Sequence, residues 1–330
     1  MRCTMGCPAA LGMSDAVAQG VRALPAARYL LAVSGGRDSM VLLHAFADCR
    51  YRTDIAAVAT FDHGTGAAAT RAARLVHREG ERRELTVVSE KLVPRSGATE
   101  SDWRRARWRF IRAWARELKA TPVTAHTRDD QLETVVMRAL RDPRNTSARG
   151  LAAMYAERRG PGVARPLLDV TREAVVAYAA RHAVPFVEDP SNANRGHLRN
   201  RVRLDLLPAL ERVHPGFGEA MLRISRDAAA WRTSVEAVVD SLGTETLPGS
   251  AVVVDVERLR TMGVAALAAV VPAIAARAGV FLDWRGTERL VGFALTGRAG
   301  GRIPLSGGAE ARRTARTLVV QGSPATDPLY

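Results

Sequence analysis

A short polar turn with two adjacent glycines separates an apolar run from a helical pattern near the start of the chain. Residues 30–33 are apolar, SGGRDS follows at residues 34–39, and residues 40–43 are again apolar. Adjacent glycines allow close approach of backbone to a ligand, and the free N–H groups of a helix N-terminus bind anions. No lysine follows the glycines, as a Walker A loop would require. We therefore predict a strand, a phosphate-binding turn and a helix; an ordinary serine- and glycine-containing turn is the alternative.

Four apolar strand patterns alternate with helical patterns in the first half of the chain. Beyond the first unit, strands are predicted at residues 55–60, 85–89 and 122–126, and helices at 14–24, 67–83 and 101–119. Such alternation indicates βαβ units and a parallel sheet. Polar clusters at 34–39, 62–63 and 126–133 each follow a strand. Because ligands bind at the carboxyl ends of parallel strands, we expect these clusters to converge on one site.

A second region follows a turn-rich segment near residue 214. Helices are predicted at 171–181 and 198–210 before it, and at 219–242, 263–278 and 284–295 after it, with short strands between 302 and 320. We see no internal repeat. We predict one domain at residues 1–214 and a smaller, mostly helical domain at residues 215–330.

The composition favours a cytoplasmic protein with a polyanionic partner. The net charge of +14 favours binding to nucleic acid through phosphate contacts. The cysteines Cys3, Cys7 and Cys49 form neither a C-x-x-C pair nor a disulfide framework, which favours a reducing compartment. Residues 1–12 lack a signal-peptide pattern and are expected to precede the true start at Met13. No apolar run has the roughly 20 residues of a membrane helix, so we expect no membrane partner.

Several further motifs occur in a fixed order along the chain. They are SGGRDSMVLL at residues 34–43, DHG at 62–64, RARW at 105–108, HTRDDQLET at 126–134, RPLL at 165–168, RE at 172–173, DPSN at 189–192 and RNRVR at 199–203. This set resembles the N-type ATP pyrophosphatases with a PP-loop and, within them, the tRNA(Ile)-lysidine synthetases. The resemblance covers roughly residues 28–214. The family's glycine-rich loop is altered at residues 142–151, and its D-H-G-L-R motif is altered at 62–66. The chain also ends soon after the first C-terminal domain, so a second one is expected to be absent.

The resemblance implies an α/β fold, with a parallel-sheet PP-loop domain of the adenine nucleotide alpha hydrolase type and helices on both faces. It implies that residues 1–214 form the catalytic domain and that residues 215–330 bind tRNA. It implies adenylation by ATP of O2 in the wobble cytidine of tRNA(Ile) with a CAU anticodon, followed by attack of L-lysine, with Mg²⁺ as cofactor. Oligomeric state stays open, with a homodimer as one option. For ATP, the implied residues are Ser34, Gly35, Gly36, Arg37, Asp38 and Ser39. The implied catalytic residues are Asp38, His126, Asp130 and Glu133, with Asp38 and Asp130 as Mg²⁺ ligands. For tRNA or lysine, the implied residues are Arg105, Asp129, Asp189, Arg199, Asn200 and Arg203.

Two other functions remain open at this stage. A PP-loop tRNA thiolase would share the turn, but it needs cysteines for sulfur transfer, and none lies near the predicted site clusters. A non-catalytic, nucleotide-sensing RNA-binding paralogue would explain the fold and the charge. The altered loop at 142–151 keeps this second alternative open.

Overall fold

The computed structural model describes residues 15–50, 52–62, 64, 66–92, 100–141, 148–156, 162–188, 194–249 and 251–323. The chain divides into two compact units. One comprises Met1–Met137 and Ala153–Arg223, and the other comprises Arg138–Ala152 and Ile224–Tyr330. The domain boundary expected after residue 214 stays a prediction.

The first unit is built on a parallel sheet. Its strands are β1 Tyr29–Ala32, β2 Ile55–Asp62, β3 Val87–Lys91 and β4 Thr121–Val123, in the order β3-β2-β1-β4. All three pairings are parallel, which confirms the predicted α/β class. The chain runs outward from β1 through β2 to β3 and then returns to place β4 on the other side of β1. The strand order therefore reverses between β1 and β4. Doubly wound folds have their ligand-binding crevice at this point.

Helices connect these strands and follow them. They are α1 Asp15–Arg22, α2 Arg37–Cys49, α3 Ala67–Arg82, α4 Glu100–Glu117, α5 Arg128–Arg141, α6 Ala148–Ala156 and α7 Arg172–Arg181. The strand predicted at 122–126 ends at Val123, so His126 lies in the connection to α5. The strand predicted at 85–89 begins at Val87. The chain bends back to this strand at Glu84, whose φ is +53°.

Apolar side chains cover both faces of this sheet. Val58 of β2 belongs to the buried cluster that includes Met40, Leu43 and Val175 of α2 and α7. Phe61 lies three residues further along β2, and its ring contacts Phe110 of α4 with 5.7 Å between the centroids. Because side chains alternate along a strand, Val58 and Phe61 point to opposite faces. The helices therefore pack on both faces, as predicted.

The helix predicted at 198–210 is interrupted by a wider turn. It consists of α8 Leu198–Arg201, a π-helical segment Val202–Leu206 and α9 Leu207–Val213. Pro208 lies at the start of α9 and cannot donate a backbone hydrogen bond to the preceding turn. Such π segments occur often at functional sites.

The second unit combines helices with an antiparallel sheet. Helix α10 Phe217–Ser241 begins in the first unit and continues into the second. The elements that follow are β5 Glu245–Leu247, β6 Ala251–Asp255, α11 Val256–Arg260, α12 Val264–Arg277, α13 Trp284–Thr296, β7 Arg302–Pro304, β8 Glu310–Arg313 and β9 Thr317–Gln321. The strand order is β5-β6-β9-β8-β7. The predicted long helices are confirmed, whereas β5, β6 and α11 were not predicted. Among the helices that the structure describes, none combines the length and apolar composition of a membrane span.

Candidate active site

The glycine turn follows β1 directly and has the conformation that its sequence predicts. Gly35 has a φ of +83°, and a Cβ atom there would lie 2.7 Å from the backbone oxygen of Ala72. Only glycine fits such a position without strain. The Ser39 hydroxyl accepts a hydrogen bond from the Ser34 backbone N–H at 3.1 Å and donates to the Gly36 carbonyl at 2.9 Å. The turn is therefore held by its own side chains at the start of α2.

Arg37 ties the turn to a neighbouring segment. Its guanidinium donates to Glu188 at 3.1 Å and lies over the Phe186 ring, 4.8 Å from the centroid. The Val187 backbone N–H also donates to the Gly35 carbonyl at 3.0 Å. These contacts fix the segment that leads to the DPSN motif, although the motif's Asp189 lies outside the described residues, as does His63.

Two adjacent carboxylates at the start of α5 hold its first turn in place. Asp130 accepts hydrogen bonds from the backbone N–H of Thr127 at 2.8 Å and from its hydroxyl at 3.1 Å. This arrangement caps the helix N-terminus, where anionic side chains are stabilised. Asp129 accepts from the backbone N–H of Arg172 at 2.8 Å, which connects α5 to the start of α7.

Arg199 bridges two carboxylates on one face of α5. Its Nη2 donates to Asp130 at 2.6 Å, and its Nε donates to Glu133 at 2.5 Å. Residues three apart lie on the same face of a helix, so one guanidinium reaches both. The side chain of Glu133 is 1% exposed, and its Oε1 has no hydrogen bond among the described residues. That oxygen is thus a buried acceptor with capacity for a ligand.

The turn and this α5 cluster lie within electrostatic reach of each other. Burial raises the pKa of Asp38, the nearby Asp130 raises it further, and Arg172 opposes both effects. Burial also raises the pKa of Glu133, although Arg199 opposes this shift. For Asp130, burial acts in the same upward direction, but Arg199 and the hydrogen bond from the Thr127 backbone outweigh it and lower the pKa. Three neighbouring carboxyls therefore have different affinities for protons.

His126 is a neutral imidazole at pH 7. Burial lowers its pKa to about 3, and the arginines Arg165, Arg199 and Arg107 act in the same direction. Its Nδ1 lies 2.8 Å from the Thr124 hydroxyl. A neutral ring carries one N–H, so His126 can donate a hydrogen bond to a developing charge but carries no positive charge itself.

The remaining predicted residues fall into two groups. Asn200 is buried, its Nδ2 donates to the Asn194 carbonyl at 2.8 Å, and Arg203 donates to its Oδ1 at 3.5 Å. These two residues therefore lie on the same turn as Arg199. Arg105, by contrast, is exposed on α4 and pairs with Asp102 of the same helix.

Two arginines near the site were absent from the predicted set. Arg172 lies close enough to Asp38, Asp130 and Glu133 to lower the pKa of each. Arg107, not Arg105, is the member of the RARW motif that influences His126. Helical spacing could have indicated it, because Arg107 precedes the buried Phe110 by three residues and therefore shares its face.

The donor set suits a hard divalent cation. Carboxylate oxygens are the ligands that Mg²⁺ prefers. Both oxygens of Asp130 already accept hydrogen bonds, whereas the structure shows no hydrogen bond to the Asp38 carboxylate within the described ranges. Asp38 is therefore the member of the predicted pair with open coordination capacity, and Asp130 lies close enough to influence its pKa.

Comparison with known proteins adds an independent finding. A family model described as a PP-loop domain matches residues 12–210. The tRNA(Ile)-lysidine synthase of Bradyrhizobium diazoefficiens is 37% identical over 222 residues, covering 64% of this chain and 59% of that protein. The same-named protein of Thermosynechococcus vestitus is 32% identical over 240 residues, covering 71% of this chain and 68% of that protein. The match therefore spans about three fifths to two thirds of these relatives' length.

Among solved structures, the chain is similar to a U34-tRNA thiolase from Methanococcus maripaludis that contains a [4Fe-4S] cluster. The TM-score is 0.54, the sequences are 14% identical, and the match covers 66% of this chain and 80% of that one. At this identity the likeness shows a shared fold and nothing about the reaction.

Proposed function

This chain belongs to the PP-loop family and, within it, to the tRNA(Ile)-lysidine synthases, and we propose that it uses ATP to join L-lysine to the wobble cytidine of tRNA(Ile) with a CAU anticodon. One observation carries the proposal. The phosphate turn after β1 and the carboxylate cluster after β4 lie near each other, since Asp130 and Asp129 are close enough to raise the pKa of Asp38. The strand order reverses between β1 and β4, and such folds bind nucleotides at this point.

The first step activates O2 of the wobble cytidine, which is otherwise a poor leaving group. O2 of cytidine forms a bond to the α-phosphorus of ATP, and the bond from that phosphorus to the bridging oxygen breaks, releasing pyrophosphate. We assign the turn of residues 34–39 to hold the leaving pyrophosphate through its backbone N–H groups. We assign the guanidinium of Arg172 and the neutral N–H of His126 to stabilise charge that develops on the phosphate oxygens. Mg²⁺ bound by Asp38, with Asp130 beside it, would neutralise phosphate charge.

In the second step lysine displaces AMP. The ε-amine forms a C–N bond at C2, the bond between C2 and O2 breaks, and AMP leaves with that oxygen. The amine must first lose a proton, and the nitrogen must lose another after attack. We assign Glu133 to accept a proton, because its Oε1 is buried without a hydrogen bond and burial raises its pKa. Asp129 and Asp189 remain candidates for recognising the lysine ammonium group.

The target base of the tRNA can enter the site without any base pair being broken. The wobble base lies in a single-stranded loop, so it can be splayed into a pocket. We propose that Arg203, with Arg199 and Asn200 on the same turn, contacts the tRNA there, while the net charge of +14 contributes affinity for the phosphate backbone. We place this reaction in the cytoplasm on the basis of the cysteine composition.

The test is lysine-dependent release of pyrophosphate in the presence of tRNA(Ile) and Mg²⁺-ATP. We expect release that requires both tRNA and lysine, together with incorporation of labelled lysine. Asp38→Asn should abolish it, and Asp227→Asn, at an exposed position on α10, serves as the matched control. Incorporation of sulfur instead would favour a thiolase. Binding of ATP and tRNA without any release would favour a non-catalytic RNA-binding protein.

A further inference from the structure

A cluster of two histidines and one aspartate lies on helices α2 and α7, apart from the candidate active site. His44 and Asp48 are one turn apart on α2, and His182 follows the last residue of α7. One ligand atom from each of the three side chains lies within 4.8 Å of the others. His44 is about two helical turns beyond Arg37, at the start of α2, so the cluster is far along the helix from the phosphate turn.

A buried tyrosine orients both imidazole rings. The Tyr178 ring stacks on His182, with 4.2 Å between the centroids and 29° between the planes. Its hydroxyl lies 3.2 Å from Nδ1 of His44. The hydroxyl can turn its proton away from Nδ1 when that atom binds an ion, while the ring still packs edge-on against His44, with 5.7 Å between the centroids. The tyrosine therefore restricts the orientation of both imidazole rings without occupying the ligand atom.

The charges around the cluster leave room for a cation. His44 is half-buried, and its Nδ1 lies 3.2 Å from the Asp48 carboxylate and 3.2 Å from the Tyr178 hydroxyl. Arg83 and Glu79 of the neighbouring α3 region also influence His44, but they form an ion pair with each other. Asp48 is half exposed and supplies a carboxylate beside the two imidazole rings.

We propose that His44, Asp48 and His182 bind a divalent transition metal ion, and that Zn²⁺ is the best match. Imidazole nitrogen and carboxylate oxygen are zinc ligands, with bond lengths that give a tetrahedral edge of roughly 3.3 Å. Nδ1 of His44 and the Asp48 carboxylate are already 3.2 Å apart. His182 and Asp48 are both exposed, so small rotamer changes can bring the third ligand into place. Water would occupy the fourth position.

The bound ion would join the last turns of two helices. Because α2 begins at the phosphate turn and α7 begins beside Asp129, the metal would stabilise the two helices that frame the candidate active site, without contacting substrate. Binding to the folded state alone raises thermal stability in proportion to the logarithm of the free metal concentration. The alternative is that His44 and Asp48 form a simple ion pair and His182 only stacks on Tyr178.

The experiment uses the full-length, untagged protein after treatment with EDTA and dialysis. Zn²⁺ is titrated calorimetrically, and Co²⁺ is added to a second sample for its visible absorption, which reports tetrahedral coordination. Cys3 and Cys7 are replaced by serine in all samples, so that their thiols cannot contribute. We expect one equivalent of Zn²⁺ to bind, the Co²⁺ spectrum to be tetrahedral, and the melting temperature to rise with added Zn²⁺.

Variants then locate the ion. Asp48→Asn and His182→Asn should each weaken Zn²⁺ binding at least tenfold and remove the rise in melting temperature. The matched control His214→Asn removes an exposed histidine outside the cluster and should bind Zn²⁺ as the parent protein does. Circular dichroism and ATP binding would establish that all variants fold. Absence of stoichiometric Zn²⁺ binding, or equal binding by parent and cluster variants, would overturn the proposal.

Discussion

Replacement of Arg199 by methionine tests whether the α5 cluster depends on its single bridging cation. Arg199 donates to both Asp130 and Glu133, whose side chains are 15% and 1% exposed. Methionine keeps much of the apolar stem and removes the charge. Two buried carboxylates would then lie near each other without the cation between them, which is the situation in which loss of one partner is costly.

The expected cost follows from the two hydrogen bonds. A hydrogen bond to a charged group contributes about 1.5–3 kcal/mol when buried, whereas an exposed ion pair contributes roughly 0–1 kcal/mol. The side chain of Arg199 is 38% exposed, so solvent screens part of each interaction. At about 1 kcal/mol for each bond, we expect the free energy of unfolding to fall by about 2 kcal/mol at pH 7.

The cost should depend on pH in a defined direction. Pairing lowers the pKa of Asp130, so its stabilising contribution is present above about pH 4 and is lost as pH falls further. Burial raises the pKa of Glu133 in the folded protein. The free energy of unfolding therefore falls as pH rises above the pKa that Glu133 has in the unfolded chain. This loss is larger when Arg199 is absent, because Arg199 opposes the shift. Both effects make the difference between variant and wild type increase as pH rises from about 4 to 8.

Urea unfolding followed by tryptophan fluorescence at pH 4.5 and pH 8 measures this difference. Arg195→Met is the matched control, because Arg195 pairs with Asp205 at 3.2 Å while their side chains are 67% and 48% exposed. We expect that control to lose less than about 0.5 kcal/mol at either pH. An Arg199→Met cost that is equal at the two pH values, or no larger than that of the control, would refute the electrostatic account.

Four further predictions concern other parts of the molecule. Asp38→Ala should abolish lysidine formation while changing the free energy of unfolding by no more than about 1 kcal/mol in urea; normal turnover would exclude the turn as the active centre. Gly35→Ala should destabilise the protein by about 1–3 kcal/mol and weaken ATP binding, whereas Gly36→Ala, whose Cβ would have no protein atom closer than 3.7 Å, should keep the free energy of unfolding in the same urea assay. Arg313→Met should cost about 2 kcal/mol in urea, because this buried guanidinium donates to two carbonyls at the C-terminal end of α13. Filter binding should show tRNA affinity falling steeply with salt, while lysine incorporation distinguishes tRNA(Ile) with a CAU anticodon from methionine tRNA with the same anticodon; equal incorporation would show that the tRNA body is not read.

The sequence predicted the parallel sheet well because its signals are local. Each strand is a short apolar run beside a helical pattern, and the convergence of polar clusters follows from the shared direction of the strands. The antiparallel sheet of the second unit was only partly predicted. Strand β6 Ala251–Asp255 pairs with β9 Thr317–Gln321, far along the chain, and β5 Glu245–Leu247 is exposed and lacks an apolar alternation. Such long-range pairing leaves little trace in a local pattern.

The site shows the same division between local and distant information. The HTRDDQLET motif places Asp130 and Glu133 on one helical face, and this can be read from their spacing. Arg199 lies 66 residues beyond Glu133, so the spacing of residues does not predict that it bridges the two carboxylates. The position of Arg172 also depends on a distant contact, the hydrogen bond from its backbone to Asp129. Sequence therefore predicted the carboxylates better than the cations that set their pKa values.

These cations decide which carboxyl suits which task. Arg199 outweighs the effect of burial and lowers the pKa of Asp130, so it remains an anion and suits a cationic group. Burial raises the pKa of Glu133, which therefore binds a proton more readily than its neighbour three residues earlier. Pairs of carboxyls with opposite shifts commonly divide acid–base and electrostatic roles between them. Arg199 contacts both carboxyls, so any substrate group that draws its guanidinium away would further raise the pKa of Glu133 and strengthen it as a base. In the role that we propose for Glu133, binding of an anionic phosphate near Arg199 would prepare it to take the proton from lysine.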